Sequence, residues 1–206
     1  MRIYDISMEI SPDMPVYKGK PAKRPRLVIE SDFSSGSVYE TCLEMNMHTG
    51  THIDAPLHII PGGSSIDKLK LDQVVTKCKV IDLSQVENQI SNEHLTNRNI
   101  LMGDFILLKT KNSTLDILES EFIFLDKSGA EFLSDAGVAG VGIDALGIER
   151  NQPDHETHQL LLSADIVILE GLRLKEVQEG EFLLAAAPLK LAGAEAAPVR
   201  AILIEL

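Results

Sequence analysis

No apolar stretch in the sequence approaches the roughly 18–20 residues needed to cross a bilayer, which speaks against a membrane-spanning helix. Positive charge is also scarce. Lys and Arg total 19 against 31 Asp and Glu, a net charge of −12. A nucleic-acid partner needs a basic surface, so that balance argues against one and favours a cation wherever carboxylates converge. There are only two cysteines, Cys42 and Cys78, too far apart for a zinc pair or a redox couple. Both lie in apolar runs and are expected as reduced, buried core residues. No Gly-x-Ser-x-Gly elbow occurs, so no serine-hydrolase arrangement is evident. Gly62-Gly63-Ser64-Ser65 lacks the lysine and outer glycine of a phosphate loop and reads as a loop near a site entrance. No linker, repeat or charge block divides the chain, so residues 1–206 are expected to form a single domain. The opening Met1-Arg2-Ile3-Tyr4-Asp5-Ile6 reads as a first strand and not a secretory signal, leaving the cytoplasm as the expected compartment.

What is present alternates β-rich runs with helical patterns. Strands are expected at residues 2–6, 26–30, 39–47, 79–82, 105–109, 123–125, 139–143, 166–169, 181–186 and 200–204, rich in Val, Ile and Leu and bounded by turn-forming residues. Helices are expected at 91–97, 127–136 and 155–163, with Ser91, Asp126 and Pro153-Asp154 as start signals. The pattern implies an α/β domain on a mixed sheet, curled toward a barrel.

The chemistry concentrates in one run, His48-Thr49-Gly50-Thr51-His52-Ile53-Asp54-Ala55-Pro56-Leu57-His58. Three imidazoles and a carboxylate are the donors that divalent transition metals favour. On a helix, Asp54 and His58 would fall away from His48 and His52, and Pro56 would break the helix. An extended chain puts all four side chains on one face. A straight strand would still hold His48 and His52 about 13 Å apart, too far to share an ion, so the chain must bend at Gly50. His52 and Asp54 stand about 6–7 Å apart and need no bend. Pro56 then turns the chain, carrying His58 either back toward the site or away from it. The absence of thiolate ligands leans toward a catalytic centre and away from a structural one.

A second cluster lies about a hundred residues on. His155 and His158 share one helix face. Glu170 ends the apolar run Ile166-Val167-Ile168-Leu169, as a ligand or as a solvated strand end. His155 reads as an exposed first-turn residue and His94 as a surface helix residue.

Together these segments resemble the cyclase family of metal-dependent hydrolases, which includes bacterial kynurenine formamidases and isatin hydrolases. The signature His-x-Gly-Thr-His-x-Asp-x-Pro-x-His is matched by residues 48–58 at every specified position. The likeness continues through Val141-Gly142-Ile143-Asp144, His158 and Glu170, and the ending Ala187-Pro188-Leu189-Lys190-Leu191 with Pro198-Val199-Arg200-Ala201. The resemblance implies a swivelling β/β/α domain, commonly a homodimer or larger. It implies two divalent ions, Zn²⁺ with Mn²⁺ as the alternative. His48, His52 and Asp54 would bind one ion and His158 the other, with Asp54 and Glu170 shared, and His58 would be the acid–base residue. The implied activity is hydrolysis of a small amide by metal-activated hydroxide, with N-formylkynurenine the first candidate. Isatin or another lactam or lactone is the related alternative, and a non-catalytic zinc protein the alternative of a different class.

The sequence departs from the formamidases where substrate would sit. It contains no tryptophan, and Lys111-Asn112 stands where relatives often have Gly-Trp. In Met14-Pro15-Val16-Tyr17-Lys18-Gly19, a lysine replaces the proline of many relatives. Tyr17 and Phe33 remain candidate substrate contacts, with ordinary packing the alternative for each.

Overall fold

A computed structural model describes residues 1–115, 118 and 121–205. In chain order the strands are β1 (Ile3–Asp5), β2 (Arg26–Ser31), β3 (Glu40–Glu44), β4 (His52–Asp54), β5 (Val75–Asp82), β6 (Gln89–Ile90), β7 (Phe105–Lys109), β8 (Phe124–Leu125), β9 (Gly140–Ile143), β10 (Val167–Glu170), β11 (Gly180–Ala185), β12 (Ala196–Pro198) and β13 (Ile202–Glu205). The α-helices are α1 (Asn92–Leu95), α2 (Asn112–Leu115), α3 (Lys127–Ala136) and α4 (Glu156–Ser163). The expected strands stand within a residue or two of expectation, except that β5 begins four residues earlier and β3 ends three residues earlier. The short β6 and β12 and the single turn of α2 were not anticipated as elements, whereas β4 falls in the run expected to be extended. Two or three residues are too few to show a period.

Among the described residues, nine strands form one sheet in the order β1-β13-β11-β5-β7-β9-β10-β4-β12. Its centre, β5-β7-β9-β10, is parallel, and both flanks are antiparallel. The sheet is mixed and curled part-way to a barrel, as expected. Strand β7, Phe-Ile-Leu-Leu-Lys, is buried throughout because both of its faces are covered. Ile106 and Leu108 join the core beneath α1, α3 and α4, while Phe105 and Leu107 join a second core on the opposite face. The neighbouring β9 makes room for them. A Cβ on Gly140 would stand 2.3 Å from the Phe105 ring, and one on Gly142 would stand 2.6 Å from Leu107.

The β2–β3 hairpin forms a sheet of its own, and nearly all of it is exposed. This corrects the expectation for Cys42, which lies exposed on β3, whereas Cys78 on β5 is buried as expected. An apolar strand run reports a core position only when another layer covers it. The two Asp-capped and Ser-capped helix starts behave as read. The Asp126 side chain accepts the Gly129 N–H at 2.9 Å, and the Ser91 N–H donates to His94 Nδ1 at 3.0 Å. His94 is thereby a half-buried capping residue.

The carboxyl ends of β7 and β9 are tied by Asp144, which accepts the Thr110 N–H and hydroxyl and the Ser113 N–H. Burial pushes this carboxyl up to about 6, against the lowering effect of the Thr110 and Ser113 bonds. A folded-state value above the unfolded one means that the folded chain holds the proton more tightly. Asp144 therefore favours folding below about pH 4, and that contribution fades as pH rises to about 6. The change is on the order of 3 kcal/mol. Asp144→Asn can keep both N–H bonds on its oxygen and donate its NH₂ to the Thr110 hydroxyl, so it should flatten the pH dependence of the thermal melt between pH 4 and 7. A variant whose melting profile parallels wild type across that window would disprove this origin.

Candidate metal centre

The centre is assembled where β4 lies between β10 and β12. The β4–β10 register sets His52 opposite Glu170 and Asp54 opposite Ile168. Alternation then sends Ile53 and Leu169 into the core on the far face. The bend anticipated between His48 and His52 is real, with Gly50 at φ 72. It has a second cause. Gly171 (φ +71) packs so closely that a Cβ there would come within 2.3 Å of the Gly50 carbonyl oxygen. The two threonines of the motif pin this crossing. Thr51 Oγ1 donates to the Gly171 carbonyl at 2.6 Å and accepts the Met8 N–H at 2.8 Å, and Thr49 Oγ1 donates to the Lys23 carbonyl at 2.8 Å.

Pro56 opens a 3₁₀ turn, Pro56–His58, that brings His58 back to the cluster. Its ring centroid lies 4.1 Å from that of His48 and 5.4 Å from that of His158. The Gly63 segment closes on this turn through Leu57 N to Ser64 O at 3.1 Å, consistent with a loop at the site entrance. His158 enters from the first turn of α4, and Glu170 ends β10. All five expected ligands, and His58, are therefore together.

Their spacing divides the cluster in two. Asp54 Oδ1 lies 2.9 Å from His48 Nδ1 and 3.5 Å from His52 Nε2, while Oδ2 lies 3.4 Å from His158 Nε2. Glu170 Oε2 lies 3.3 Å from His52 Nε2, and Oε1 lies 3.3 Å from His158 Nε2. Each carboxylate thus faces His52 with one oxygen and His158 with the other. Donors around a tetrahedral ion with bonds of about 2.1 Å stand about 3.4 Å apart, which matches these separations. Asp54 Oδ1 and Oδ2 and His52 Nε2 are buried with no hydrogen-bond partner among the described residues. Buried polar atoms left in that state call for a cation or another ligand. The residues present fit divalent ions.

Electrostatics agrees. Burial opposes charge on His52 and on His158, but Glu170 and Asp54 outweigh it and raise both imidazoles, His158 strongly. Burial also opposes charge on Asp54 and Glu170, and the same imidazoles hold both carboxyls low. The pocket stabilises positive charge at its centre. His58 behaves differently, since burial keeps its imidazole below the usual histidine value and favours the neutral ring, against the pull of Asp54. Its position also allows it to join His48 and Asp54 around one ion.

Sequence reasoning missed the groups behind the candidate ligands. Gly50 O lies 2.9 Å from His52 Nδ1, Glu195 Oε1 lies 3.4 Å from His48 Nε2, and Glu149 Oε1 lies 3.0 Å from His158 Nδ1. Neither glutamate sits in a periodic or motif-like pattern that would mark it. The two substrate candidates part company. Tyr17 is half-buried, with its Cε2 within 3.3 Å of where a Gly147 Cβ would stand, one residue before the Ile148 N–H that bonds Glu170 at 2.5 Å. Phe33 is 75% exposed on the hairpin, against Tyr39. His155 is exposed, as expected, but its Nδ1 lies 2.6 Å from Glu149.

The model of the family described as "Putative cyclase" matches residues 4–150, and the chain belongs to that family. It is 34% identical to a kynurenine formamidase of Salinibacter ruber over 98% of this chain and 97% of that one. Among solved structures, one described as a potential metal-dependent hydrolase with cyclase activity is 46% identical, with a TM-score of 0.91, covering 98% of this chain and 96% of the other. Isatin hydrolase A of Labrenzia aggregata is 25% identical with a TM-score of 0.85, over 100% of this chain and 94% of the other. Among the described residues no helix is long and apolar enough to cross a membrane.

The Gly50–Gly171 crossing yields a direct test. Gly171→Ala places a methyl against the Gly50 carbonyl in a left-handed conformation. It should cost about 1–3 kcal/mol and lower bound metal, read by thermal melting and elemental analysis. Wild-type values for both would show that the close approach does not constrain the site.

Proposed function

We propose that this member of the cyclase family is a metal-dependent hydrolase that opens a small amide, with N-formylkynurenine, an intermediate of tryptophan catabolism, as the first substrate to test. The observation that carries the reading is the pair of carboxylates, Asp54 and Glu170, each spanning His52 and His158, with His58 beside them. His48, His52, Asp54 and Glu170 would hold one divalent ion, and His158, Asp54 and Glu170 a second, with Zn²⁺ preferred and Mn²⁺ the alternative. Divalent ions held there supply a polarised carbonyl and a hydroxide nucleophile available near neutral pH.

His58 does the proton work. Its neutral imidazole accepts the proton of the attacking nucleophile and returns one to the departing amine nitrogen, which an ordinary imidazole can do near neutrality. A merely structural metal site has no use for that adjacent ring. Tyr17 would form a wall of the substrate pocket. Lys18 Nζ and Lys23 Nζ stand 5.3 and 5.7 Å from its ring centroid, positive charges that suit the carboxylate of N-formylkynurenine. Similarity to an isatin hydrolase keeps lactam opening as the second reading, since the same proton transfers serve a cyclic amide.

The test is a hydrolysis screen of metal-loaded protein against N-formylkynurenine, isatin and simple lactones, alongside His58→Ala. The variant should keep both ions and lose turnover by roughly 100-fold or more. Loss of an ion would make His58 a ligand. Turnover of isatin or a lactone without N-formylkynurenine would discard the formamidase reading and keep the mechanism.

The reading extends to assembly and compartment. A lone two-stranded hairpin is marginal in water, yet β2–β3 leaves Leu27, Ile29, Val38, Tyr39 and Leu43 about half exposed and Phe33 more so. Such a surface fits a second copy of the chain in a homodimer or larger assembly. Sedimentation should show an oligomer that Ile29→Lys with Leu43→Lys dissociates; a monomeric wild type would refute it. The two free cysteines suit a reducing cytoplasm.

A further inference from the structure

Behind His158, on the side away from Asp54 and Glu170, lies a carboxylate that the ligand set does not use. Glu149 is 4% exposed. Its Oε2 accepts the Thr157 N–H at 3.0 Å and Gln152 Nε2 at 3.3 Å. Its Oε1 lies 2.6 Å from His155 Nδ1 and 3.0 Å from His158 Nδ1. His158 Nδ1 makes no hydrogen bond among the described residues, so the 3.0 Å contact is close but not locked. The segment that builds this cradle is bent at a cost. Asn151, Asp154 and His155 have φ of 55, 53 and 55, left-handed values that each cost a non-glycine residue roughly 1 kcal/mol or more. Those bends turn the His155 ring and the Thr157 N–H onto Glu149 just where α4 begins to carry His158.

We propose that Glu149 is a positioning residue for the second metal subsite, holding His158 in the tautomer that leaves Nε2 free, with His155 holding Glu149 in turn. The inference rests on the two-subsite reading above. A neutral imidazole has one N–H and one lone pair. A carboxylate this close to Nδ1 favours the N–H there, which leaves the Nε2 lone pair directed between Asp54 and Glu170, and it also makes the ligand more basic. The other imidazoles are backed differently. His52 has a neutral carbonyl, Gly50 O, and His48 has Glu195, whose side chain is 40% exposed. Of these three, His158 alone is backed, among the described residues, by a buried carboxylate on the side away from Asp54 and Glu170, so loss of that charge should reach one subsite and spare the other.

Glu149→Gln is the sharpest variant. The Thr157 N–H fixes an acceptor at one position, so the new amide group must turn its NH₂ toward the two histidines. It would then donate to Nδ1 of His158 and favour the wrong tautomer. His155→Ala acts on the same chain from the surface, where it cannot compromise the core.

The experiment titrates metal-free wild type, Glu149→Gln and His155→Ala with Zn²⁺ against a competing chelator, with bound metal counted by mass spectrometry and metal-free thermal melts recorded in parallel. Wild type should show two binding classes. Glu149→Gln should weaken one class by about 10–100-fold and leave the other unchanged, with an unaltered metal-free melt. His155→Ala should weaken the same class by less, and it carries the test if Glu149→Gln does not fold. Equal weakening of both classes, or of neither, overturns the proposal. A wild type that binds a single ion would remove the two-subsite reading instead. The role of Glu149 would then hold if Glu149→Gln weakens that ion and fall if it does not.

Discussion

Two carboxylates buried side by side govern this molecule. Asp54 and Glu170 sit on adjacent antiparallel strands, within reach of the same two imidazoles. Each raises the cost of ionising the other, and burial adds to that cost. Left without positive charge the pair could not stay ionised in the interior, because an unpaired buried charge is expensive. Protons on His52 and His158 can supply that charge, and divalent ions can supply more of it at the same place. Metal binding at this centre is therefore also proton release, and the centre's affinity is tied to the protonation of those two rings.

The rest of the structure keeps these groups from relaxing apart. Strand β10 is in the sheet interior and fully buried, so Glu170 has no freedom to swing into water. The Glu170 carboxylate is further held by the Ile148 N–H. The crossing at Gly50 and Gly171 brings the two strand ends to backbone contact, and Thr51 fastens it. Ile53 and Leu169, on the far face, join the same core as Phe105 and Leu107. Packing on one face of the sheet thus fixes charge on the other.

Legibility in the sequence followed the range of the cause. The alternation His52-Ile53-Asp54 was readable because a strand's period is local, and the bend at Gly50 was readable because two imidazoles cannot otherwise meet. The return of His58 stayed open, because Pro56 marks a turn without giving its direction. Cys42 was misread since nothing in the sequence of β3 reveals that the hairpin lies exposed. Glu149 and Glu195 were not visible. Each meets its histidine through tertiary folding, and Glu149 does so through three left-handed residues that no local pattern announces. His158 and Glu170 were intermediate cases, suggestive by chemistry but joined to the first cluster only by the family resemblance.

The same division separates chemistry from specificity. The candidate ligands come from β4, β10, the first turn of α4 and the bend before β4, all braced by the sheet and its cores. Tyr17 comes from a short 3₁₀ turn in which Lys18 is itself left-handed, and the Gly147 segment against which it rests is irregular. Elements of the first kind change little without losing the fold, whereas loop residues can change while the scaffold stands. Relatives at 25–46% identity can accordingly share this architecture while carrying different names for what they hydrolyse. In this chain the absence of tryptophan and the lysine beside Tyr17 fall on the variable side. They bear on which substrate is taken, and leave untouched the paired carboxylates and imidazoles that the sheet holds together.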